Sequence, residues 1–104
     1  MISVIATITT KAGMRDQFLA EFKKLVPDVL AEQGCIEYMP ATDVATGIPQ
    51  QPALRNDCLM VIEKWDSVEA LRAHLVAPHM DAFRERTQNL VEGLEILVVQ
   101  PQVH

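Results

Sequence analysis

The sequence is short of positive charge, cysteine, glycine and aromatic rings, and each shortage closes off a class of function. Nine lysines and arginines face fourteen acidic residues, for a formal net charge of −5. The basic residues stand singly apart from the pair Lys23–Lys24, so no basic stripe exists to neutralise a phosphate backbone. No nucleic-acid partner is expected, and a basic amphipathic helix suited to a membrane surface is equally missing. Charged residues punctuate every apolar segment, which leaves no run able to span a bilayer. Residues 1–6 lack the basic start of a secretory signal, so a cytoplasmic location is the expectation. The two cysteines, Cys35 and Cys58, lie 23 positions apart and outside any CxxC motif. They predict reduced, half-buried thiols rather than a disulfide or a zinc site. No repeat, linker or low-complexity tract interrupts the chain, and residues 1–104 are expected to form a single domain.

What is present is a chain of ordinary globular composition, 49% hydrophobic, with clear periodicities. In residues 2–10, Ile2, Val4, Ala6 and Ile8 alternate with Ser3, Thr7 and Thr9, which predicts a half-buried strand. Met14, Phe18, Phe22, Leu25 and Val29 recur at helical spacing; Pro27 predicts a kink or an early last turn, and Gly34 a left-handed exit. Residues 35–42 read as a second strand, placed at an edge or bulge by Pro40. After a loop from Asp43 to Pro52, residues 56–65 read as a third strand. Asp66 is the expected helix cap, with Glu69 reaching back and Val68, Leu71 and Leu75 as the apolar stripe. Pro78 restarts a second helical piece with Met80, Phe83, Thr87 and Leu90 inward, Gly93 breaks it, and residues 94–100 form the last strand.

The order is β-α-β-β-α-β, an α+β, ferredoxin-like plan with one antiparallel sheet and helices on one face. The other face would carry Ile5, Met60, Ile62, Leu97 and Val99. So large an apolar patch predicts a homodimer in which two sheets close face to face into a barrel.

Three stretches together resemble the antibiotic biosynthesis monooxygenase (ABM) family. They are Ala12-Gly13 after the first strand, Glu32-Gln33-Gly34-Cys35-Ile36-Glu37-Tyr38 at the helix exit, and Glu63 to Leu71 (EKWDSVEAL). His74-Leu75, Pro78-His79-Met80 and Phe83 continue the pattern at the spacing of the quinol-monooxygenase-like members. The resemblance implies a dimeric ferredoxin-like α+β barrel with a pocket between sheet and helices. It also implies oxygenation of a small aromatic quinol, anthrone or phenol by O₂, with no cofactor and no metal. Haem-degrading relatives use an asparagine on the first strand where this chain has a residue near Ala6, which argues against the haem reaction. The resemblance leaves two other functions open: an isomerase or proton-transfer enzyme acting on a small carbonyl compound, and a non-catalytic small-molecule-binding dimer.

Three residues are candidates for catalysis. His74 lies beside the inward stripe, and only histidine titrates unperturbed near neutrality, so it could take a phenolic proton; otherwise it simply bonds a neighbour such as Glu63. His79 either faces inward or caps the restarted helix. Glu63 shares a strand face with Leu59, Val61 and Trp65. A carboxylate there needs a partner, either His74, which it would orient, or Arg72 or Arg55. Trp65, Tyr38, Phe83, Leu59 and Met80 are the candidate substrate-binding residues, each of which could equally be core. His74 and His79 are five apart across a proline, whereas helical metal ligands prefer three or four, so no metal site is expected.

Overall fold

The computed structural model describes residues 1–103. Its elements are β1 (Ile2–Thr10), α1 (Arg15–Leu30), β2 (Cys35–Ala41), β3 (Cys58–Trp65), α2 (Val68–Leu75), α3 (Pro78–Thr87), a 3₁₀ turn (Gln88–Leu90) and β4 (Val91–Val99). The strands form one antiparallel sheet in the order β2-β3-β1-β4. This is the α+β, ferredoxin-like arrangement the periodicities predict. Pro40 lies on β2, an edge strand, where a missing N–H costs no ladder bond on the free side.

Register fixes the two faces. Ala6 is opposite Val61 and Ile96, while Ile5 is opposite Ile62 and Leu97. The first set faces the helices, and with it Val4, Leu59, Glu63 and Trp65 are buried. Phe18, Phe22, Leu25 and Val29 of α1 and Met80 and Phe83 of α3 complete this core. The second face carries no helix: Ile5, Met39, Ile62, Leu97 and Val99 are each 39–53% exposed on it.

Several boundaries differ from the sequence expectation for local reasons. Helix α1 runs on past Pro27 to Leu30, since a proline in the last turn forfeits only one bond. The cap of α2 is Ser67, whose hydroxyl accepts from Ala70 N at 3.1 Å, and not Asp66. Val68 is exposed and His74 buried, so the inner stripe of α2 is Leu71 and His74. Gly93 does not break a helix. It sits inside β4 opposite Thr9, next to a register shift that brings Val91 opposite Thr10.

Gly34 is left-handed, with φ +85°, as expected. It also makes a close approach, because a Cβ there would stand 2.7 Å from the Cβ of Ala70. Its carbonyl accepts from Asp66 N at 2.8 Å. The exit of α1 is thereby pinned against the start of α2, which sets where Glu32 meets the second half of the chain. None of residues 43–52 lines the hollow described below. That loop lies to one side, and Arg55 closes it by donating from Nε and Nη2 to the two oxygens of Asp43, each at 2.9 Å. Hydrogen bonds from Arg55 hold the Asp43 carboxyl down at about 2. No helix among the described residues is long and apolar enough to cross a membrane.

Candidate functional site

A hollow of about 370 Å³ lies between the sheet and helices α1 and α3, within the size range of small-ligand pockets. Its lining is mostly apolar and includes four phenyl or phenol rings, Phe18, Phe22, Tyr38 and Phe83. Phe83 meets Phe18 and Phe22 edge-on, with centroids 5.5 and 5.8 Å apart, and Phe22 stacks on Tyr38 at 5.5 Å. These rings come from α1, α3 and β2, so the pocket exists only in the assembled fold. Six polar side chains interrupt the apolar lining: Arg84, Thr87 and Gln88 at the end of α3 and just after it, and the three buried titratable groups Tyr38, Glu63 and His74.

His74 is the best placed of the three for chemistry. It is 1% exposed, on the last turn of α2, with its ring centroid 4.7 Å from that of Trp65 and 5.3 Å from that of Tyr38. Its Nδ1 is 2.8 Å from Oε2 of Glu32. A carboxylate only accepts, so this nitrogen carries the hydrogen and the neutral ring presents a lone pair at Nε2. Among the described residues Nε2 has no protein partner. It is not sealed either, because Arg15 Nε is the one buried unpartnered side-chain nitrogen or oxygen. It therefore opens on the hollow. Burial pushes the imidazole below its ordinary value and the Glu32 hydrogen bond pushes the other way; burial prevails, which favours the neutral ring.

Glu63 has a different partner from the one its position on β3 suggests. Its Oε1 accepts from Trp65 Nε1 at 2.9 Å, and it bonds neither His74 nor an arginine. Burial raises its carboxyl to about 7, partly offset by the Trp65 bond, with the Glu32 charge adding to the rise. Burial likewise pushes the Tyr38 phenol well above its usual range, keeping the hydroxyl protonated as a donor.

The same oxygen of Glu32 lies 2.7 Å from His79 Nε2. His79, at the start of α3, does not line the hollow and reaches it only through Glu32. The spacing argument against joint action of His74 and His79 assumes one continuous helix. The chain instead breaks at Val76–Ala77, and the two rings converge on one carboxylate. Glu32 Oε2, His74 Nδ1 and His79 Nε2 all lie within 4.8 Å of one another, a set that could hold a metal ion. The five-residue spacing therefore does not keep these two histidines from acting on one group.

Of the candidate binding residues, Tyr38, Phe83 and Met80 line the hollow. Trp65 and Leu59 do not; both are completely buried, and Trp65 serves as the floor on which His74 rests. Glu32 belongs to the stretch that carries the family resemblance, but nothing in the sequence gives it a role of its own. It follows the last apolar position of α1 in an irregular turn, where no periodicity marks it, and its partners are more than 40 residues away.

Comparison with known proteins agrees with this architecture. Residues 1–86 match the antibiotic biosynthesis monooxygenase (ABM) family. The chain is 40% identical over 105 residues to a protein of Escherichia coli (strain K12) named "Probable quinol monooxygenase YgiN", covering 99% of this chain and 100% of the relative. The fold is similar to that of PA3566 from Pseudomonas aeruginosa, with a TM-score of 0.80 at 24% identity over 98% of this chain and 94% of that one. It is also similar to Rv0793 from Mycobacterium tuberculosis, with a TM-score of 0.79 at 21% identity over 99% and 96% of the two chains. On the family match and the 40% identity over nearly its whole length, the chain belongs to the antibiotic biosynthesis monooxygenase family.

Proposed function

We propose that the protein is a monooxygenase that takes a small aromatic quinol or related phenol into the hollow and oxidises it with O₂, without a cofactor. The observation that carries this reading is the free Nε2 of His74, a neutral base held by Glu32 at the wall of an apolar, ring-lined cavity. The name of the Escherichia coli relative supports the quinol class.

His74 takes a proton from one substrate hydroxyl, and the electron-rich anion passes one electron to O₂. The radical pair recombines at a ring carbon. The resulting peroxide breaks its O–O bond, leaving one oxygen on a hydroxyquinone and releasing the other as water. All four electrons come from the substrate, and the protein contributes positioning, a base and a dry site. Tyr38 and the raised Glu63 carboxyl serve as donors toward substrate oxygens. Two copies pair through the bare sheet face, an isologous contact that covers Ile5, Ile62 and Leu97.

The test is oxygen uptake by chelator-treated protein offered a panel of quinols. Protein-dependent uptake that is lost in His74→Ala is expected; no uptake, or equal uptake by the variant, overturns the reading. A second reading, a proton-transferring isomerase, draws on Glu63, since a carboxyl near 7 in the same cavity as a neutral imidazole makes an acid–base pair. Turnover in the absence of oxygen would favour it.

A further inference from the structure

We propose that Glu32, His74 and His79 also form a binding site for a divalent transition cation of the zinc class, and that loading it reverses the polarity of His74 toward the hollow. The three donor atoms come from the turn after α1, the end of α2 and the start of α3. They lie within 4.8 Å of one another, with the oxygen 2.7–2.8 Å from each nitrogen. Two ligands about 2.0–2.1 Å from a tetrahedral zinc stand roughly 3.3 Å apart. The hydrogen-bonded cluster therefore needs to open by about half an ångström to admit the ion. Imidazole and carboxylate donors suit zinc, copper, nickel or cobalt better than magnesium or calcium.

The surroundings favour a cation. None of the three side chains is paired with a lysine or arginine among the described residues, and Arg84, on the hollow wall, is held by Asp81 at 3.2 Å. The His79 side chain is 29% exposed, giving the ion a way in and leaving a coordination position for water. The two hydrogens now donated to Glu32 would be replaced by one ion, and a metal on Nδ1 of His74 requires the ring hydrogen to sit on Nε2. The hollow then meets an N–H donor in place of a lone pair. If the function proposed above holds, the loaded protein is inactive; the binding itself does not depend on that reading.

Trp65 gives a direct readout, because it is the only tryptophan and its ring is 4.7 Å from that of His74. Metal-free protein is titrated with Cu²⁺ while Trp65 fluorescence is followed, and with Zn²⁺ by calorimetry. The expected result is saturation at one equivalent per chain and protection from Cu²⁺ quenching by prior Zn²⁺. Affinity should fall about tenfold or more in both His79→Ala and His79→Gln, with unchanged circular dichroism. A His104→Ala control, which removes the terminal histidine, should bind as the parent does. Absence of saturable binding, or affinity in both His79 variants equal to the parent's, overturns the proposal. Neither outcome bears on oxygen uptake by the metal-free protein.

Discussion

Glu32 and His74, 42 positions apart, meet through a 2.8 Å contact between Oε2 and Nδ1, and that contact fixes which ring nitrogen faces the hollow. Glu32 is thus a positioning residue that acts through His74. In Glu32→Gln the carboxylate charge is gone and the amide NH₂ can donate to an unprotonated ring nitrogen, so the tautomer of His74 is no longer enforced. The expected outcome is a fall in kcat of roughly a hundredfold or more with little change in KM. The ¹⁵N shifts of His74 report the cause. They should show the Nδ1–H form in the parent and a mixture in the variant; a single unchanged tautomer would refute the role.

The raised carboxyl of Glu63 makes stability depend on pH in a definite direction. Its ordinary value is 4.5 and its folded value about 7, so between the two the folded chain holds the proton more tightly. Stability therefore falls as pH rises from about 4.5 to about 7, and the full penalty, on the order of 3 kcal/mol, persists above. The groups around it are Trp65 on its own strand, Tyr38 opposite it on β2, the Glu32 charge, and His74 and Arg84 on the cavity wall. Glu63→Gln keeps an acceptor for Trp65 and has no charge to desolvate. Urea unfolding at pH 5 and pH 8 should show a smaller drop in the variant, which should be the more stable protein at pH 8. Equal slopes would contradict the assignment.

Gly34→Ala should cost about 2–3 kcal/mol, from a left-handed φ and a Cβ placed 2.7 Å from that of Ala70. Adding Ala70→Gly removes the clash but not the φ penalty, and introduces a helix glycine of its own. The clash should outweigh the cost of that helix glycine, about 1 kcal/mol, so thermal melts should place Gly34→Ala lowest and the double variant between it and the parent. A Gly34→Ala protein as stable as the parent would show that the α1 exit and α2 are not pinned there.

Charge on the bare sheet face tests the pairing of two copies. Leu97 is 53% exposed on that face, opposite Ile5 of β1. Sedimentation should give a dimer for the parent and a folded monomer for Leu97→Asp at the same concentration. A monomeric parent would leave the face without its proposed partner.

The sheet and its two faces are legible in the alternation of residues 2–10 and 58–65, because period two is a direct consequence of strand geometry. Period identifies a face but not how far along it the cavity extends. Leu59 and Trp65 share the face of Glu63 and still fall outside the hollow. His74 is legible because it sits beside Leu71 on an amphipathic helix. Glu32 is not, since a side chain in a turn obeys no period and its significance depends on contacts across the fold. The helical spacing rule does not describe His74 and His79, because Pro78 starts a new helix, N-capped by Ala77, and the two rings still meet at Glu32. Gly93 misleads for a related reason: a glycine marks a change of backbone direction, and a bulged strand provides one as readily as a helix end.

The cavity is closed unevenly. Toward β3 its wall rests on the wholly covered Leu59 and Trp65. On the other side Leu94 and Ile96 of the edge strand β4 line it yet are 60 and 40% exposed, with no helix over them. On the function proposed above, a guest would enter across that greasy sill with its hydroxyl toward His74. A wall left open on one side would then set no limit on the length of that guest's far end.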